Sequence, residues 1–171
     1  MNETAEQFMR MAIAEARKGM REGNHPYGSV IVKDGTVLVR AHSTGALSHD
    51  IAAHADMSAA RKLSKKAKTR DVKDCTVYAT GEPCPMCSAA LAAMHISELF
   101  IAANYRHLPS QMNRGRKRPG KITYKEIFKE YGLRVKVKEG ILKDEVLKMY
   151  DEYVNPPSRI HRQLKKFPSR K

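Results

Sequence analysis

Residues 53–57 read A-H-A-D-M, and thirty residues after that histidine the chain reads P-C-P-M-C. Zinc is held by thiolates and imidazoles, usually four ligands, with one position left to water when the site is catalytic. Cys84 and Cys87 stand three apart at the expected start of a helix, which puts both sulfurs on one turn. The positive end of that helix favours their thiolate forms. His54 would complete a His-Cys-Cys set with one position open, and Asp56 lies two residues beyond it as a nearby carboxylate. Plainer readings compete: a lone C-x-x-C can be a redox pair, and a lone histidine is most often a satisfied polar residue. A closed structural site needs a fourth ligand; His49 is available but falls off the face that carries His54.

The elements that must position these residues follow from periodicity and turn chemistry. Residues 3–23 carry a helical stripe of Phe8, Met9, Ala12, Ile13 and Ala16, ended by glycines. G-S-V-I-V-K and T-V-L-V-R-A flank Asp34-Gly35, a strong hairpin signal. The alanine-rich run 51–66 predicts a helix, C-T-V-Y-A-T a strand, and 85–95 a helix with proline in its first turn. E-L-F-I-A-A predicts a fourth strand, 124–131 a short helix, L-R-V-K-V-K a fifth strand, and 141–154 a last helix stopped by Pro156-Pro157. One hairpin followed by alternating helices and strands predicts a five-stranded mixed sheet in a three-layer α/β/α sandwich.

A chain of 171 residues, 42% hydrophobic and 29% charged, is the size and composition of one globular domain. We expect residues 1–155 to form that domain and 156–171 a basic tail. No apolar run is long enough to span a membrane, and the acidic, polar N-terminus does not read as a secretory signal. Three cysteines are too few for a disulfide framework, so a reducing, cytoplasmic setting is expected. The net charge of +14 is concentrated in Arg114, Arg116, Lys117, Arg118 and Lys121 and in a second cluster from Arg159 to Lys171. Such clusters attract polyanions, RNA among them, although neither has the interleaved aromatics of a single-strand groove.

Taken together these stretches resemble the cytidine-deaminase-like superfamily, whose zinc deaminases carry H-x-E followed by P-C-x-x-C. H-P-Y-G-S-V-I-V and I-T-Y-K-E-I are most similar to bacterial guanine deaminases, and the basic C-terminal end to tRNA adenosine deaminases. The resemblance implies one zinc per chain on His54, Cys84 and Cys87, with water as the fourth ligand and Asp56 as proton carrier. It also implies substrate contacts at Tyr27, Ser43 and Ala55, and a homodimer packed through the helix after C-P-M-C and the loop after F-I-A-A; His107 is a further candidate for substrate contact, from its place in the loop after the fourth strand. Two positions depart from the family pattern. Asp56 stands where glutamate is expected, and Ser43 where asparagine is expected.

The activity implied is hydrolytic deamination of a guanine-like or cytosine-like base or nucleoside, in purine metabolism on the closer branch. Deamination of adenosine or cytidine within RNA is a second reading, with Arg114, Arg116, Lys117 and Arg118 gripping phosphate. A third keeps the zinc for folding and treats the chain as a catalytically silent binding subunit, because Asp56 is one methylene short.

Overall fold

The computed structural model describes residues 4–69, 72–113 and 122–156. The basic loop with Arg114, Arg116, Lys117 and Arg118, and the tail from 157 onward, lie outside the described residues. In chain order the elements are α1 (Ala5–Glu22), β1 (Gly28–Lys33), β2 (Thr36–His42), α2 (Gly45–Ser48) and α3 (Ala55–Ala67). Then come β3 (Thr76–Gly81), α4 (Pro85–Ala93), β4 (Glu98–Ala103), a 3-10 turn at Tyr105–His107, α5 (Ser110–Asn113), α6 (Tyr124–Glu130), β5 (Lys136–Glu139) and α7 (Lys143–Val154).

The sheet order is β2-β1-β3-β4-β5; β1 runs antiparallel to both neighbours, and β3, β4 and β5 run parallel. The hairpin closes with Lys33 opposite Thr36, leaving Asp34 and Gly35 as a two-residue turn, both at positive φ (49° and 73°). That is the type I′ pattern, which needs residues tolerant of the left-handed region at both positions.

Strand alternation divides the core into two halves. Ile31, Val77, Ala79, Leu99 and Ile101 pack under α3, α4 and α6, whereas Val30, Val32, Tyr78, Phe100 and Ala102 pack against α1 and α7. The three-layer sandwich follows directly. Cys75, just before β3, is fully buried in the first half, as core.

Helix α1 is closed at its start by a reciprocal capping box between Thr4 and Gln7 and at its end by Gly23 at φ 97°. It runs unusually close to the sheet. A Cβ on Gly28 would lie 1.9 Å from the Ala12 carbonyl oxygen, so only glycine lets β1 pass there.

Several element limits differ from the sequence expectation. Helix α3 begins at Ala55, not near 51, because Asp50 accepts the Ala52 N–H through its side chain (2.8 Å) and the Ala53 N–H through its carbonyl (3.2 Å), turning the chain first. Strand β5 pairs only over Lys136–Glu139, because β4 offers it partners only from Glu98 to Ile101. The short helices α2 and α5 were not expected at all.

Candidate metal centre and substrate cavity

His54 and Cys84 are the N-cap residues of α3 and α4, both with extended backbone (φ −70°, ψ 158° and φ −69°, ψ 167°). In each case the carbonyl accepts the first helical bond, at 2.8 Å from Ser58 and from Ser88. Neither side chain makes the capping hydrogen bond that such residues usually make to their own helix, so both are free to point outward. Pro85 fixes the first turn of α4, and Cys87 follows on the same turn. Two helix N-termini thus converge, and their positive ends favour anionic sulfur.

His54 Nδ1 lies 3.5 Å from Cys84 Sγ and 3.6 Å from Cys87 Sγ. Tetrahedral zinc with Zn–S of about 2.3 Å and Zn–N of about 2.05 Å requires N···S separations of about 3.5–3.6 Å. The three residues therefore fit a zinc ion, with Nδ1 as the ligating nitrogen. Among the described residues no other cluster of three or more such groups forms, and His49 is not part of this one.

The electrostatics agree. The Cys84 thiol is pulled down to about 4, first by the Cys87 thiol donating to it and then by His54. Cys87 keeps the shared proton and is pushed up by that hydrogen bond and by burial. His54 is raised, chiefly by its hydrogen bond to Cys84. Metal binding displaces such protons, since the ligands must be thiolates and a neutral imidazole.

Asp56 occupies the first turn of α3 and is 7% exposed. Burial raises its carboxyl from 3.8 to about 6, against a smaller lowering by the Ser29 hydroxyl. Its Oδ1 is buried with no hydrogen-bond partner. A buried carboxylate oxygen left in that state is costly unless something else binds it.

These groups form one end of a cavity of about 390 Å³, at the small end of the ~300–1,000 Å³ typical of ligand sites. The cavity opens at the carboxyl ends of β3 and β4, beside the point where strand direction reverses between β1 and β3. Open α/β sheets place ligands at such crevices.

Tyr27, Ser43 and Ala55 all line it. The Tyr27 ring stands edge-on to Tyr150 at 5.8 Å, and burial pushes its phenol well above the usual 10. Gly81 makes that seat possible, since a Cβ there would come within 2.9 Å of the Tyr27 ring. Ser43 is buried, donating its hydroxyl to the Ala53 carbonyl at 3.4 Å and its N–H to the Tyr27 carbonyl at 3.0 Å.

His107 does not line the cavity. Its Nδ1 accepts the Asn104 N–H at 3.2 Å, closing the 3-10 turn instead. Glu82 accepts the Tyr105 N–H at 3.0 Å and ties that turn to the loop bearing Cys84.

Sequence reasoning missed Leu108 and Met112, which close the apolar side of the cavity. Isolated apolar residues in a loop carry no periodic signal. It also missed His42, whose ring lies between Glu15 (3.0 Å) and Glu22 (2.9 Å) on α1 and anchors the strand end that presents Ser43. The spacing of those glutamates on one helix face is visible in sequence; the partner histidine is not.

Residues 2–103 match the cytidine and deoxycytidylate deaminase zinc-binding region. The tRNA-specific adenosine deaminase of Aquifex aeolicus is 35% identical over 98 residues, covering 57% of this chain and 65% of that protein. The guanine deaminase of Bacillus subtilis is 36% identical over 101 residues, covering 58% and 65%. The match thus spans a little under two thirds of either relative's length. A solved tRNA:A34 deaminase aligns with a TM-score of 0.70 at 25% identity, over 84% of this chain and 98% of its own. A guanine deaminase from Nitrosomonas europaea aligns at 0.75 and 20% identity, over 88% and 84%, a likeness of fold alone. The family match takes in more than half of the chain and carries both zinc-binding motifs, at His54 and at Cys84–Cys87, so the chain belongs to the cytidine and deoxycytidylate deaminase family.

Proposed function

We propose that this protein is a zinc-dependent aminohydrolase that replaces the amino group of a nucleobase or nucleoside by oxygen and releases ammonia. The observation that carries the reading is the buried carboxyl group of Asp56, which lines the same small cavity as the His54, Cys84 and Cys87 cluster. When bound, zinc supplies Lewis acidity that brings the pKa of a water toward ~7.

Asp56 takes the proton that the attacking water sheds and delivers it to the ring nitrogen beside the reacting carbon. The same carboxylate takes the water's second proton and passes it to the amine, so that ammonia departs and a carbonyl remains. Tyr27 and Ala55 provide walls for the ring, and Ser43 offers one donor and one acceptor to its edge. Leu108 and Met112 exclude bulk water from that side. Shielding of this kind strengthens polar interactions inside the site.

A free base or nucleoside, guanine-like first, suits the cavity size and the Bacillus subtilis relative. The second reading, adenosine or cytidine in RNA, is favoured by the Aquifex aeolicus relative and by the net charge of +14. On that reading Arg114, Arg116, Lys117 and Arg118 grip phosphate. We further propose a homodimer packed through α4, whose Ala93 is exposed, and a reducing, cytoplasmic location suited to three free thiols.

Ammonia release from aminated bases, nucleosides and tRNA, assayed with zinc-loaded protein, tests the proposal. Turnover of a base or nucleoside supports the first reading. Turnover of tRNA alone, with binding that weakens steeply as salt rises, selects the second. No release from any substrate would overturn both and leave the silent zinc-binding subunit. Light scattering at micromolar concentration tests the dimer, and a monomer would refute it.

A further inference from the structure

Two buried side-chain polar atoms lack a hydrogen-bond partner among the described residues: Ser29 Oγ and Asp56 Oδ1. They are neighbours. The Ser29 hydroxyl lies next to the Asp56 carboxyl group, yet the two do not meet ordinary hydrogen-bond geometry. We infer that Ser29 is the positioning residue for Asp56: its hydroxyl turns to donate to Oδ1 and holds the short carboxylate with its other oxygen toward the cavity. The catalytic consequence rests on the function proposed above; the pairing itself does not.

Three features of the chain support it. Ser29 is fully buried on an interior strand of the sheet, paired with Ala41 on one side and Ala79 on the other. By strand alternation its side chain shares the face of Ile31, which packs under α3, the helix that carries Asp56. The row Ala41–Ser29–Ala79 is small throughout, so the hydroxyl is the polar group that this row offers to the carboxylate above it.

The platform is also fixed. The neighbouring Gly28 is pressed against α1 at Ala12, and its N–H donates to Thr80 Oγ1 at 3.0 Å. Ser29 cannot follow a carboxylate that moves away. Nor is Ser29 part of the cavity wall, where Asp56 is, so it supports the acid from behind and does not touch substrate.

A short acid needs such a partner. Aspartate lacks one methylene of reach relative to glutamate, about 1.5 Å at most, and a misplacement of about 1 Å costs on the order of a hundredfold in rate. A hydroxyl donated to one oxygen fixes the side-chain torsion and leaves the second oxygen for proton transfer.

The test is a pair of double-mutant cycles on the zinc-loaded full chain. In the activity cycle, Ser29→Ala lowers kcat about tenfold, the lower end for a hydrogen bond to a charged group, with KM changed less than about twofold. In an Asp56→Glu background, where the carboxyl has moved beyond the hydroxyl, Ser29→Ala has no further effect. In the stability cycle, Ser29→Ala raises the unfolding equilibrium constant about tenfold beside Asp56 and leaves it unchanged beside Asp56→Ala.

Additive effects in the stability cycle overturn the pairing. Coupling there with additive effects on kcat refutes the positioning role. Coupling in stability together with no turnover by any variant sustains the pairing and sinks the proposed function, so the two failures are told apart.

Discussion

Replacing Asp56 by glutamate moves the carboxyl group outward by at most about 1.5 Å. Its Cα cannot retreat to absorb that length, because Asp56 sits in the buried first turn of α3, two residues after the ligand His54. The added methylene must therefore carry the acid into a cavity of only about 390 Å³, toward the metal cluster and away from Ser29. A misplacement of about 1 Å costs on the order of a hundredfold. Partial relief by side-chain rotation brings the expected loss to about 10–100-fold in kcat. Zinc content stays the same, because Asp56 is not a ligand. The assay is ammonia release under saturating substrate, paired with metal analysis, and Asp56→Ala serves as the control that abolishes turnover while keeping zinc. Activity that rises tenfold or more with glutamate would refute the reasoning. It would mean that the cavity is still shaped for the longer acid and that the natural chain is the impaired form.

Zinc at about a hundred times its Kd should stabilise the folded chain by about 2.7 kcal/mol, raising Tm by about 5–11 °C in a scan with and without chelator. Cys87→Ser should lose most of that rise, and a chelator-insensitive Tm would count against the site. Gly28→Ala should destabilise by about 3 kcal/mol or more in urea unfolding, since its Cβ would meet the Ala12 and Ala16 backbone at 1.9 and 2.7 Å; a variant of wild-type midpoint would show that α1 can move. In chelated protein, the Asp56 contribution to stability should fall as pH rises between about 4 and 6, because its carboxyl ionises at 3.8 in the unfolded chain but near 6 when folded. Asp56→Asn removes that dependence, so its stability relative to the parent should improve by about 3 kcal/mol between pH 3.5 and pH 8. An unchanged difference across that range would show that Asp56 is not buried as described.

What was legible in the sequence was local. The hairpin could be read because Asp34-Gly35 accepts positive φ at both positions, and the zinc ligands because Cys84 and Cys87 fall on one turn headed by Pro85. Strand alternation set the two core faces and hence the three layers. The start of α3 was not legible, because the Asp50 side chain and carbonyl outcompete an alanine-rich run that favours helix from residue 51. His107 was expected near the substrate from its loop alone, and the structure places its Nδ1 on the Asn104 N–H, closing the 3-10 turn. The support behind Asp56 could not be read at all. Ser29 is a small polar residue in a strand, and only the packing of α3 across β1 brings it to the acid.

Zinc K-edge X-ray absorption on the purified protein tests the central claim most directly, since it counts the ligands themselves. The account predicts two sulfurs at about 2.3 Å, one imidazole nitrogen at about 2.0–2.1 Å and one oxygen at about 2.0–2.2 Å. That shell is His54, Cys84 and Cys87 with one position left for water. A fourth protein ligand of nitrogen or sulfur would make the centre a closed structural site and contradict the catalytic account. So would a protein that binds no zinc.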